Sequence, residues 1–157
     1  PLAASMGIGY KKLTSIFFDD FKIKPENVFI LACRDLDAGE IALIDELNIN
    51  VWTNEDINVK GTDVVVNELL SIIKEKNIEN IHLSYDIDCL DPDYVPGTGT
   101  PVNDGLTYSQ SKELLEAILG TSLVKSMDFV EYNPMLDKNN KTKETCFELL
   151  NLISDNL

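Results

Sequence analysis

A chain of 157 residues with 44% apolar side chains is of one-domain length and can bury a core of its own. Thirteen basic residues against 27 acidic ones give a formal net charge of −14, which repels phosphate backbones and anionic lipid surfaces and argues against nucleic acid or membrane as a partner. The three cysteines, Cys33, Cys89 and Cys146, include no C-x-x-C pair, so the sequence points to neither a disulfide framework nor a zinc ribbon and fits a reducing cytoplasm.

Residues 1–9 lack a basic stretch followed by an apolar run, and no segment approaches the ~20 apolar residues that cross a bilayer. The chain opens on Pro1 rather than methionine, so a longer protein is expected. Residues 28–33 (VFILAC) form an apolar strand candidate, and residues 41–47 carry apolar side chains at helical spacing. Residues 50–53 (NVWT) read as a short strand. A helix is expected over 62–76, with Val65, Leu69, Ile72 and Ile73 on one face.

The alternation continues with a strand over 81–86, an irregular Pro-, Gly- and Asp-rich stretch over 89–107 and a helix from about 109 to 119. A last strand is expected over 123–132 and a last helix over 143–156, with Thr142 or Asn140 as N-cap. Repeated strand–helix units demand right-handed crossovers and a mainly parallel sheet covered by helices. In such α/β sheets ligands gather beyond the carboxyl ends of the strands. A sheet cut at its middle is expected to leave an apolar edge and face exposed.

Asp86 and Asp88 stand where the strand over 81–86 runs out, and uncompensated carboxylates are costly to bury there. A hard cation such as magnesium, calcium or manganese compensates them. A bare D-x-D pattern taken alone is more often a loop cap than a metal site. A calcium loop of the EF-hand type is excluded, because its sixth and twelfth positions require glycine and glutamate and are here Asp91 and Gly97.

The longer string S-Y-D-I-D-C-L-D-P-D-Y-V-P-G-T-G-T-P-V-N-D-G-L-T-Y, residues 84–108, resembles the signature of the arginase and agmatinase (ureohydrolase) family. R-D-L-D-A-G-E over 34–40 resembles the family's loop for the substrate's α-amino end. M-D-F-V-E-Y-N-P over 127–134 resembles the strand that presents a glutamate to the guanidinium, and P-L-A-A over 1–4 the residues after the family's His-Gly-Met motif. The resemblance spans essentially the whole chain.

The resemblance implies a three-layer αβα fold with a mainly parallel sheet, residues 1–157 being the C-terminal half of a single arginase-like domain. It implies a hydrolase that converts arginine to ornithine and urea, with two Mn2+ ions sharing a hydroxide that attacks the guanidinium carbon. By the same resemblance Asp86 bridges the two metals and Asp88 binds one. Glu131 pairs with the guanidinium, Asp37 contacts the α-amino group with help from Glu40, and Thr100 places a hydroxyl near substrate and metal-bound solvent. A homo-oligomer, trimer or hexamer, is implied for the whole protein.

Several departures qualify the match. The family's Gly-Gly-Asp-His and Asp-Ala-His-x-Asp segments, which hold its remaining ligands, do not occur here. The proton-shuttling histidine belongs to the motif just before Pro1. His82, the sole histidine, falls on the same strand face as Asp86 but deeper, a structural position. Cys89 replaces a frequent glycine, and Ser109 and Gln110 replace an Arg-Glu pair that some arginases use in trimer contacts. Agmatinase is the nearest alternative, disfavoured because its resemblance lacks the loop with Asp37 and Glu40. The other alternative is a non-catalytic fragment that lacks half the metal ligands.

Overall fold

Short β-branched and apolar runs build the strands of the computed structural model, which describes residues 1–156. Strand β1 (Phe29–Cys33) lies parallel to β2 (Asn50–Thr53), and β3 (Ile81–Asp86) lies parallel to β4 (Val124–Val130). Among the described residues the predicted parallel sheet is thus present as two parallel pairs. Helix α3 (Ala38–Leu47) connects β1 to β2, α5 (Thr62–Glu75) runs between the two pairs, α6 (Tyr108–Leu119) connects β3 to β4, and α7 (Lys141–Asn156) follows β4. Helices and short parallel strand pairs together make a partial αβα arrangement.

Ile57, Val65, Leu69, Ile87, Leu90, Leu115, Leu119 and Leu149 are each at most 2% exposed and form the centre of one core. On β3 and β4 the face with Ile81, Leu83, Tyr85, Met127 and Phe129 packs against that core, as strand alternation requires. Tyr85 stacks on Phe129 with ring centroids 5.1 Å apart, and its hydroxyl lies 2.5 Å from Ser111 Oγ of α6. A buried phenol with a partner at that distance ties β3 to its covering helix.

The opposite face of this pair is open, and it is polar rather than apolar as expected: His82, Ser84, Ser126 and Asp128 line it, with Val130 at its end. His82 shares the face of Asp86 but is exposed, not deep. Its Nδ1 lies 2.8 Å from Ser126 Oγ and its Nε2 3.2 Å from Asp128 Oδ2. The exposed apolar surface lies elsewhere, at Tyr10, Leu13, Ile16, Phe17 and Phe21 near the N-terminus and at Met135.

Three helices escaped the sequence reading. Two are the four-residue turns α1 (Leu2–Ser5) and α2 (Lys11–Thr14). The third, α4 (Asn54–Lys60), starts at a reciprocal cap in which Thr53 accepts from Asp56 N and the Asp56 side chain accepts from Thr53 N. That T-x-x-D pattern is a recognisable helix start. The cap of α7 also differs from expectation. Neither Thr142 nor Asn140 serves: the Asp137 carboxylate accepts from Thr142 N at 3.0 Å and Lys143 N at 2.9 Å, and Thr142 sits inside the helix. An acid at this point also complements the positive end of the helix.

Candidate active site

Strand β3 delivers Asp86 to its carboxyl end, where a 3-10 turn (Ile87–Cys89) begins. Ile87 is fully buried and pins the turn, so Asp86 and Asp88 flank it on the open side. The Asp88 amide donates to Asp86 Oδ1 at 3.1 Å, and Thr100 Oγ1 donates to Asp88 Oδ2 at 3.1 Å. Next door, β4 pairs Val130 with Asp86, so Glu131 emerges one residue beyond the level of the aspartates. Its backbone stands at φ 69°, a left-handed conformation costly for a residue with a Cβ. A Cβ on Gly99 would lie 3.8 Å from Glu131 Oε2, so the loop with Thr98, Gly99 and Thr100 passes beside that carboxylate.

The structure therefore gathers Asp86, Asp88, Thr100 and Glu131 at one strand end. Burial lifts Asp86 to about 6, and the nearby charges of Asp88 and Glu131 add to the rise, while the Asp88 amide opposes it. A cleft of about 370 Å³ opens beside them, lined by Cys33, Arg34, Asp35, Asp88, Thr100 and Val102.

Asp37 and Glu40 lie apart from this cluster, at the start of α3. The Asp37 carboxylate accepts from Gly39 N and Glu40 N, and Glu40 Oε2 accepts from Asp37 N. This capping box alone accounts for both residues locally. Cys89, the replacement for a glycine, is a packed thiol: burial pushes it up to about 12, so it stays protonated at neutral pH.

The loop that carries Thr100 is held by contacts that sequence reasoning missed. Gly97 N donates to Thr142 Oγ1 at 2.7 Å, and Asn133 N donates to Gly97 O at 2.9 Å. Further along, Asp91 Oδ2 accepts from Gly105 N at 3.2 Å, and Leu90 bridges Leu106. A Cβ on Gly97 would meet Asp137 Cβ at 2.6 Å and Asp137 Cα at 2.8 Å, so only glycine fits. Gly97→Ala is expected to destabilise the fold by about 2–3 kcal/mol through overpacking, read as a lower denaturant midpoint at unchanged slope.

Clustered carboxylates with a neighbouring hydroxyl suit a hard divalent cation in kind. They do not suit a two-metal centre in number. Among the described residues, no three His, Cys, Asp or Glu side chains come together to hold an ion.

A family model described as "Arginase family" matches residues 11–153. The chain belongs to the arginase family. The arginase of Bacillus caldovelox is 41% identical over 150 residues, covering 96% of this chain and 50% of its own length. The chain thus spans about half the length of the curated arginases it matches.

Its fold superposes on the native B. caldovelox arginase structure with a TM-score of 0.92 at 40% identity, covering 98% of this chain and 51% of that one. The Entamoeba histolytica arginase in complex with L-ornithine gives 0.89 at 31% identity, over 98% of this chain and 50% of that one. These likenesses establish a hydrolase family and a partial αβα arginase-like fold. Arg34, Asp91, Gly97 and Thr142 are the residues of this arginase-family site that the strings did not single out as functional. The Gly97–Thr142 bond and the contacts of Arg34 with Asp88 and Val102 join segments 45, 54 and 68 positions apart, where no local pattern signals them, whereas Asp91 bonds within its own string.

Proposed function

We propose that this chain is the C-terminal half of an arginase domain, and that the whole protein hydrolyses the guanidinium of arginine to ornithine and urea. The observation that carries this reading is the convergence of Asp86, Asp88, Thr100 and Glu131 at the carboxyl ends of β3 and β4. Two manganese ions, held in part by Asp86 and Asp88, would supply water activated near neutral pH. Glu131 offers a carboxylate to the planar donor fork of the guanidinium. Thr100 orients Asp88 through its hydroxyl and stands beside the space for substrate. Asp37 and Glu40 meet the α-amino group, which favours arginine over agmatine as substrate. Such an enzyme is expected in the cytoplasm as a homo-oligomer, trimer or hexamer. No helix among the described residues is long and apolar enough to cross a membrane.

A second reading holds for the chain alone: it folds and turns nothing over. The incomplete ligand set favours it, because a binuclear centre draws on more donors than these residues supply. One assay addresses both. Urea release from arginine and from agmatine is measured with manganese, first for the chain alone and then with the uncovered half of the B. caldovelox arginase added. The expected outcome is no urea from the chain alone and manganese-dependent urea, from arginine only, in the mixture. A well-folded complex that releases urea from neither substrate would count against the arginase reading, and preference for agmatine would move the assignment to agmatinase.

A further inference from the structure

Arg34 leaves the end of β1 and reaches across to the loop after β3. Its Nη2 donates to Asp88 O at 2.6 Å and to Val102 O at 3.0 Å. Nε donates to Val102 O at 3.3 Å, and Nη1 to Cys89 O at 3.5 Å. One guanidinium thereby grips both ends of the segment from Asp88 to Val102. Thr100, two residues before the second anchor, bonds Asp88 at the first.

We propose that Arg34 is a positioning residue of the site, whose guanidinium sets the approach of Thr100 to Asp88 by clamping the two ends of their loop. The functional meaning of this rests on the arginase reading; the clamp itself does not. The backbone is built to aim it. Ala32 stands at φ 62°, and the β1–β2 register slips between Leu31 and Cys33. Such a bulge bends a strand and redirects the residues beyond it.

Although Arg34 lines the cleft, it is poorly placed to bind an anion there. Both Nη2 hydrogens and the Nε hydrogen go to carbonyls, and one Nη1 hydrogen points to Cys89, so one of five donors remains. The base of the loop is also tied by Leu106 N to Cys89 O at 2.9 Å and by Asp91 N to Leu106 O at 3.0 Å, so what the clamp adds is the hold of Val102, and with it Thr100, over Asp88. A lysine carries a point charge on a flexible stem and cannot reproduce a planar fork onto two carbonyls.

The test is site-resolved amide exchange on the metal-free chain and on Arg34→Lys, Arg34→Met and Thr100→Val. In both Arg34 variants, amides over residues 89–102 should exchange roughly 10–100-fold faster, since charge-assisted bonds to the loop are lost. Amides of α5 and α6 should change little. Thr100→Val should leave loop protection near that of the parent chain, because Thr100 is exposed and the clamp is intact.

Uniform acceleration throughout the chain would reduce Arg34 to an ordinary stability residue. Restored protection in Arg34→Lys would show that charge alone suffices, and loosening by Thr100→Val as large as that by Arg34→Lys would assign the loop to the Thr100–Asp88 bond. Either result overturns the clamp. If one Arg34 variant does not fold, the other is read in its place against Thr100→Val. None of these readouts needs metal or turnover, so their failure is separate from failure of the arginase reading.

Discussion

On the arginase reading, Glu131→Gln is expected to lower kcat/KM for arginine about 10²–10³-fold in the manganese-loaded whole protein and to leave its thermal midpoint almost unchanged. The loss would come from removing the charge that a guanidinium fork meets, a charge-assisted pair worth a few kcal/mol. Stability is spared because Glu131 is exposed and, among the described residues, takes no hydrogen bond. Surface substitutions of that kind stay within about 0.5 kcal/mol. Steady-state kinetics with arginine and a thermal melt of the same preparation supply both numbers. A fall confined to kcat places the interaction in the transition state, whereas a rise confined to KM places it in ground-state binding. Unchanged kinetics would remove Glu131 from the site.

The strained backbone at Glu131 was invisible in the sequence, although its place on a strand end was not. M-D-F-V-E reads as alternating strand residues, and β4 is indeed Val124–Val130, but nothing local says that the next residue turns left-handed. Asp86 and Asp88 were legible for the opposite reason: strand, turn and carboxylates are contiguous, so one string encodes position and chemistry together.

Asp37 and Glu40 carry a double message. D-x-x-E is a helix start as well as part of a family loop, and the structure displays the capping role directly. Their substrate role stays a proposal. The contacts of Arg34 with Asp88 and Val102 bridge 54 and 68 positions. Periodicity and local motifs carry no information over such separations. His82 was misplaced in depth because alternation fixes which face a strand residue takes, and not whether another layer covers that face.

Asp86→Asn is expected to stabilise the metal-free protein at neutral pH while ending any manganese response. In the folded chain the Asp86 carboxyl stands at about 6, above its ordinary value of 3.8, first through burial and then through the charges of Asp88 and Glu131. Between these two values the folded state binds more protons than the unfolded one, so stability falls as pH rises through the window. The penalty is complete above about 6 and absent below about 4.

Asparagine keeps the side-chain oxygen that accepts from the Asp88 amide and removes the charge, so this pH dependence should vanish. Because the group is only half-buried, solvent screening reduces the gain to about 1 kcal/mol at pH 7, or roughly 2–4 °C for a domain of this size. The measurement is the denaturant midpoint of both proteins in chelator from pH 4 to 8. Their difference isolates Asp86 from the other carboxylates, which titrate in both. Convergence of the two curves at low pH and divergence above about 6 support the assignment; parallel curves would mean that Asp86 is unperturbed. An ionised Asp86 weakens the fold by itself, and on the metal-site reading a cation at this strand end would supply the compensation that the protein's own groups do not.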